Sequence, residues 1–325
     1  MSVNSHPPFY ICAPLKTTML TIEKLFQTAS HSGSVYTVIS EGDYQVYTAG
    51  SDGVILKWNI HEPSKPTAIA KVSGQIFSLC LYEPLMQLWV GTMSGAVHVL
   101  DLESKKEIHH FVNHTQSVFD IQPHADKIFV TSKDGNLTIW NAATSQLINT
   151  IHISSGGLRA IAFHPTKNEM AIGSSDNSIY IMERPKTEDR RPKEATIIQQ
   201  LTAHTNSVFA LCFSNDGKKL FSGGRDAMLF CWDAENNYAE IKSLPAHLYT
   251  INNLVLLSDN LFATASRDRT IKIWNAETIE LLKVIDKEKF EGHLNSVNKL
   301  CWLNDEKILL SVSDDRSLIG WKISN

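Results

Sequence analysis

The chain has 325 residues, 43% hydrophobic and 20% charged, which is ordinary globular composition with material for a large core. Its formal net charge of −4 gives no global basic field to hold nucleic acid or an anionic membrane, and no window of ~18 consecutive apolar residues offers a membrane span. The five cysteines (Cys12, Cys80, Cys212, Cys231 and Cys301) form an odd set without a CxxC pair, mostly in apolar strand-like runs; this predicts buried, reduced thiols and a cytoplasmic setting.

Residues 1–18 read as a loose tail, disordered or non-native. MSVNSHPPFYICAPLK has no basic start followed by an apolar stretch, so it is a poor signal peptide, and Met19 is a candidate translation start. The strand-like LTIEKLF, residues 20–26, follows. A first unit then opens at His31 (HSGSVYTV) and closes with TAGSDGVILKWN, carrying Thr48, Asp52 and Trp58. A second opens at Val72 and closes with VGTMSGAVHVLD, with Ser94 and Leu100 in the aspartate and tryptophan columns. The third has His114, Asp134 and Trp140, but Val130 at the hydroxyl position. The fourth runs from Ser154 to IGSSDNSIYIME, with Asp176 and Met182 in the two columns.

After it comes ERPKTEDRRPKEA, residues 183–195, whose prolines and mixed charges predict a solvated loop or flexible arm on the bottom face, the alternative being a docking segment. The fifth unit carries His204, Ser222, Asp226 and Trp232, with a hairpin-turn NDG at 215–217. The sixth carries His247, Thr264, Asp268 and Trp274. The seventh carries His293, Ser311, Asp315 and Trp321, and runs out at LIGWKISN, one strand short. Apolar runs of four to seven residues alternate with Gly, Asn, Asp and Ser clusters throughout, giving about four short strands per unit. Seven units spaced by roughly 40 to 50 residues signal a repeat architecture.

The histidine, the hydroxyl residue followed four positions later by aspartate, and the Trp-Asp or Trp-Asn ending resemble WD40 repeats over about residues 19–325. The resemblance implies an all-β fold and a single domain: a seven-bladed β-propeller with four antiparallel strands per blade around a channel. A lone sheet with two apolar faces cannot bury both; stacking against two neighbours does. Residues 20–26 are then expected to pair with Leu318–Ile323 as the outermost strand of blade 7, removing an open edge.

A serine, a histidine and an aspartate within one unit also suggest a hydrolase triad. The set recurs nearly whole four times, however, and no G-x-S-x-G motif accompanies it. The resemblance instead implies a structural chain: indole N–H to hydroxyl, hydroxyl to histidine, histidine to aspartate. The second and fourth units lack it and are expected to be softer, relying on packing through Leu100, Ile161, Phe163 and Ile181. HHFVNH at 109–114 tempts a metal reading, but adjacent strand residues point to opposite faces. No P-loop, dinucleotide-binding glycine pattern or HExxH occurs, so no cofactor is expected.

The resemblance also implies that the histidine loops and aspartate turns share a top face, where two positions per unit crowd the channel mouth. One position gives Tyr36, Phe77, Phe119, Arg159, Phe209, Asn252 and Asn298. The other gives Ser51, Met93, Lys133, Ser175, Arg225, Arg267 and Asp314. Aromatic residues with Arg159, Lys133, Arg225 and Arg267 suit an acidic or phosphorylated peptide. The expectation is a monomeric, non-enzymatic scaffold for a protein or peptide partner, with no direct nucleic-acid or membrane contact. The alternative is an enzyme or small-molecule binder using the channel mouth; a third possibility is a subunit of an RNA- or membrane-associated assembly docked through proteins only.

Overall fold

Each repeat folds into one four-stranded antiparallel sheet, and there are seven of them. The computed structural model describes residues 20–185 and 196–324. The expected tail, residues 1–18 with Cys12, and most of the 183–195 insertion lie outside the described residues. The inner strands are Val35–Glu41, Ile76–Tyr82, Val118–His124, Leu158–Phe163, Val208–Phe213, Ile251–Ser258 and Val297–Leu303. Each contacts the inner strand of the next blade, and the last contacts the first, so the sheets form a closed ring.

The strand Thr21–Thr28 closes that ring. It pairs antiparallel with Leu318–Ser324, Thr21 facing Ser324 and Thr28 facing Leu318. Blade 7 thereby gains its fourth strand from the other end of the sequence, as the count of strands in the last repeat required.

Hydrophobic burial in this molecule is divided. Seven apolar clusters occur, and each draws from two neighbouring blades, one cluster per interface around the ring. Blades 5 and 6, for example, share Phe221, Leu229 and Cys231 with Ile251, Phe262 and Trp274. Both faces of every sheet are therefore covered, which is why the strands read as nearly continuous apolar runs rather than strict alternation. The indoles of Trp58, Trp140, Trp232, Trp274 and Trp321 sit in the interfaces with the preceding blades. Leu100 and Met182 occupy the matching places in the other two.

Four cysteines are described and all are free: Cys80 and Cys231 are buried, Cys212 and Cys301 half-buried. Burial pushes their thiols up, Cys212 to about 12 and Cys231 and Cys301 to about 11. The NDG segment is the turn between Val208–Phe213 and Lys219–Gly224, with Gly217 at a φ of 74°.

Candidate functional site

In blade 5, Trp232 Nε1 donates to Ser222 Oγ at 2.9 Å, and Ser222 Oγ lies 2.8 Å from His204 Nε2. His204 Nδ1 lies 2.9 Å from Asp226 Oδ2. Blades 1, 6 and 7 repeat the chain. The hydroxyl-to-Nε2 distance is 2.8 Å for Thr48–His31, 2.7 Å for Thr264–His247 and 2.8 Å for Ser311–His293. The turn aspartate also accepts from the backbone N–H that follows the histidine: Ser32, Thr205, Leu248 and Leu294. Three separate pieces of chain, the top loop, the second strand and the third strand, are thus linked through one buried imidazole. Each of these hydroxyl side chains is fully buried and already accepts the indole N–H. Buried in this way, it has no approach path for a substrate.

At the channel mouth a backbone irregularity recurs. The register between the inner and second strands shifts at Val35/Thr37, Ile76/Ser78, Val118/Asp120, Leu158/Ala160, Val208/Ala210, Ile251/Asn253 and Val297/Lys299. The residues skipped are Tyr36, Phe77, Phe119, Arg159, Phe209, Asn252 and Asn298. A bulge leaves one residue unpaired and re-aims its side chain. All seven line one cavity of about 440 Å3. It leads into a second cavity of about 740 Å3 that shares Phe77 and Phe119 and reaches Glu83 and Pro84.

The seven are not equivalent. Tyr36, Phe77 and Phe119 form a file of rings, with centroids 5.1 and 5.8 Å apart. The Arg159 guanidinium lies over Phe119 at 4.0 Å and Phe209 at 4.6 Å, and its Nε donates to Ser175 Oγ at 2.8 Å. Burial, with Arg225 nearby, lowers its pKa to about 10, so it remains charged at neutral pH. Asn252 and Asn298 turn their amide N–H groups to protein instead. Asn252 donates to Ser296 Oγ and the Val297 carbonyl; Asn298 donates to the Val35 carbonyl and Asp314 Oδ1. These two asparagines brace adjoining blades. Lys133, Arg225 and Arg267 are exposed, and Ser51, Ser175 and Asp314 are half-exposed on the top turns; Met93 is exposed.

Comparison with known proteins agrees with this geometry. The family described as WD domain, G-beta repeat matches residues 145–182, 195–233, 239–275 and 286–322. The IP5P C-F beta-propeller family matches 28–154. The chain belongs to the WD40-repeat family. It is 27% identical over 251 residues to the nuclear distribution protein nudF of Aspergillus niger, covering 75% of this chain and 51% of that protein. It is 32% identical over 118 residues to WD repeat-containing protein 55 of Danio rerio, covering 36% and 30% respectively. The chain thus spans about half the length, or less, of these curated relatives. The crystal structure of the WD40 propeller domain of Doa1 superposes with a TM-score of 0.81 over 93% of this chain and 97% of that one, at 16% identity.

Three blades of this WD40 propeller depart from the repeat pattern, each differently. Blade 3 has Val130 where a hydroxyl is expected, yet its chain is complete. Thr138, directly across from Val130, lies 2.9 Å from His114 Nε2 and accepts from Trp140 Nε1 at 2.9 Å. Blade 4, expected to rely on packing alone, has a polar set of its own: Ser154 donates to Asp176, and Tyr180 donates to Asp176 at 2.6 Å. Both substitutes, Thr138 and Tyr180, stand two residues before the tryptophan column, the one sequence signal that marks them. Blade 2 has local turn bonds, Thr92 to Ser94 at 2.9 Å and to the Ala96 carbonyl at 3.0 Å, and its residue two before the tryptophan column, His98, pairs instead with Glu107 at 3.0 Å.

Charge follows the geometry. Burial holds His31, His114 and His247 below the ordinary imidazole value despite their aspartates, so the rings are neutral at pH 7. Burial alone would raise Asp52 and Asp134, but backbone N–H groups and the histidines outweigh it and keep them ionised. The protons are therefore assigned: Nδ1–H donates to the carboxylate, and the hydroxyl donates to Nε2 while accepting from the indole. His109 and His110 lie on opposite faces, one stacked on Phe111 and the other on His98. Among the described residues no group of three or more His, Cys, Asp or Glu is placed to hold a metal ion, and no helix is long and apolar enough to cross a membrane.

Proposed function

We propose that this WD40 propeller is a non-enzymatic, monomeric cytoplasmic scaffold. Its top-face channel mouth captures an acidic or phosphorylated segment of a partner protein. The observation that supports this reading is the seating of Arg159. Its cation fills the space between Phe119 and Phe209, so these two rings are closed to a ligand's cation. Among the described residues its only hydrogen bond uses Nε, leaving the Nη groups for an incoming carboxylate or phosphate. Arg225, Arg267 and Lys133 would add exposed positive charge at the rim.

The test is affinity capture of tagged protein from its native lysate, followed by mass spectrometry. A partner retained by the wild-type chain is expected to be lost from an Arg225→Glu/Arg267→Glu variant and from Arg159→Ala, with folding intact. Undiminished capture by both variants would refute the mouth as the site. The cavity of about 440 Å3 is also within the size range of small-ligand pockets. An Arg159-dependent small anion, with no partner protein, would favour that second reading.

A further inference from the structure

We propose that the top loops of blades 5–7 form a second docking surface, built for a protein segment that carries a leucine-like or aromatic anchor flanked by acidic side chains. The proposal rests on the protein-scaffold reading; of the channel-mouth residues it shares only the rim arginines Arg225 and Arg267.

The first observation is a switch of side chain at a constant backbone position. The residue after the network histidine donates its N–H to the turn aspartate in all five complete blades, at 2.8 to 3.0 Å. It is Ser32, Thr115 and Thr205 in blades 1, 3 and 5, but Leu248 and Leu294 in blades 6 and 7. The hydrogen bond fixes the loop whatever the side chain is. Leu248 is nevertheless 84% exposed, Leu294 51% and neighbouring Tyr249 60%. The two loops are on adjacent blades, tied by Asn252 to Ser296 and Val297. Apolar groups held so far out of the core gain nothing from folding; they gain from a partner.

The second observation is backbone strain borne by charged residues. The position after the turn-aspartate column, where blade 2 has Ser94, is left-handed in all seven blades. Blades 1–3 put Gly53, Gly95 and Gly135 there, the residues that adopt this conformation without cost, and blades 4 and 5 put the small Asn177 and Ala227 there at φ of 73° and 62°. Blades 6 and 7 put Arg269 and Arg316 there, at φ of 74° and 70°. The same turns carry Arg267 in blade 6 and, in blade 5, Arg225. All four arginines are exposed, and none forms a side-chain hydrogen bond or ion pair among the described residues. The acids nearby are engaged. The turn aspartates are held by histidines and backbone, Asp314 accepts from Asn298, and Glu291 lies 3.8 Å from Lys24. Strained, unpaired cations beside exposed leucines complement a segment that alternates acidic and apolar groups. Leucines among the arginines and a chain of net charge −4 argue against nucleic acid as the occupant.

The experiment pans a random short-peptide display library against the full chain and measures enriched peptides by fluorescence anisotropy. Enriched peptides are expected to carry Leu, Phe or Trp flanked by Asp or Glu, and to weaken with added salt. Affinity should fall by about tenfold or more in Leu248→Ser/Leu294→Asn, and likewise in Arg269→Gly/Arg316→Gly. The glycine pair suits the left-handed backbone, so its thermal midpoint should hold or rise, separating lost binding from lost folding. Arg159→Ala should leave these peptides bound. Peptides that ignore the leucine and glycine variants but are lost with Arg159→Ala would overturn this surface and leave the mouth standing. No enrichment, enrichment of basic peptides, or stronger binding to a DNA oligonucleotide or to phosphatidylserine vesicles would also overturn it.

Discussion

Blades 6 and 2 are built from the same four strands, yet different forces hold their tops together. In blade 6, His247 connects the top loop to Thr264 on the second strand and, through it, to Trp274 on the third. In blade 2 the matching positions are Val72, Ser94 and Leu100, and what remains is packing. Its own indole, Trp89, lies on a different strand, stacks on Phe111 and meets Trp140 edge-on, and its buried N–H has no partner among the described residues. A blade can therefore close without the polar chain if its neighbours supply apolar cover. What the chain adds is a rigid link between the top loop and the sheet. It is complete in blades 1, 3 and 5–7, and in blades 6 and 7 the loops it holds carry the exposed Leu248 and Leu294.

The strongest way to break this comparison is to delete the indole in one blade and its counterpart in the other. Trp274→Ala leaves a cavity and orphans the Thr264 hydroxyl, with an expected cost of about 3–5 kcal/mol. Leu100→Ala removes apolar contact alone and should cost less, toward the lower end of the about 2–5 kcal/mol range for a buried Leu→Ala. Urea titrations of the two variants decide; equal losses would mean that the polar chain adds nothing to packing.

Blade 3 sharpens the point with a smaller change. Thr138→Val strands the Trp140 indole N–H and His114 Nε2 and should cost about 1–3 kcal/mol. Adding Val130→Thr to that variant restores the hydroxyl from the strand the other blades use, and most of the loss should return. Absence of rescue would show that the hydroxyl's strand matters, not merely its presence.

The smallest effect is with pH. His31, His114 and His247 have folded pKa values below their unfolded ones, so the unfolded chain takes up protons first on acidification. Their contribution is complete above the ordinary imidazole value near ~6.5 and declines as pH falls below it. The aspartates, held below the usual carboxylate range, add a further loss below pH ~4. The denaturation midpoint should therefore slope gently downward from pH 7 to 5, and His247→Asn should flatten that slope.

The ring, the blade count and the pairing of residues 20–26 with the last strand were legible because they depend on repeat period and on counting strands. Column reasoning failed where a side chain was replaced across a strand pair. Val130 concealed Thr138, since cross-strand register is not written in any one column. Tyr180 and Ser154 were missed for the same reason: blade 4 reassembles its polar contacts from other positions. The mouth residues could be aligned by repeat, but the bulge that turns them inward is a property of strand pairing. Nothing in the sequence told that Arg159 lies between two phenylalanines or that Asn252 and Asn298 brace neighbouring blades.

The strand that completes blade 7 also has a consequence in time. Thr21 and its partner Ser324 are 303 positions apart, so a ribosome makes the first half of this pair long before the second. Until Leu318–Ser324 emerges, the nascent ring has an unpaired edge at blade 7, and blades 1 and 7 have not yet buried their shared face. Full cooperativity arrives only once Leu318–Ser324 has been made and has paired with Thr21–Thr28. A chain stalled or clipped near Trp321 would leave the ring ajar and presents the cell's quality-control machinery with two sticky edges instead of none.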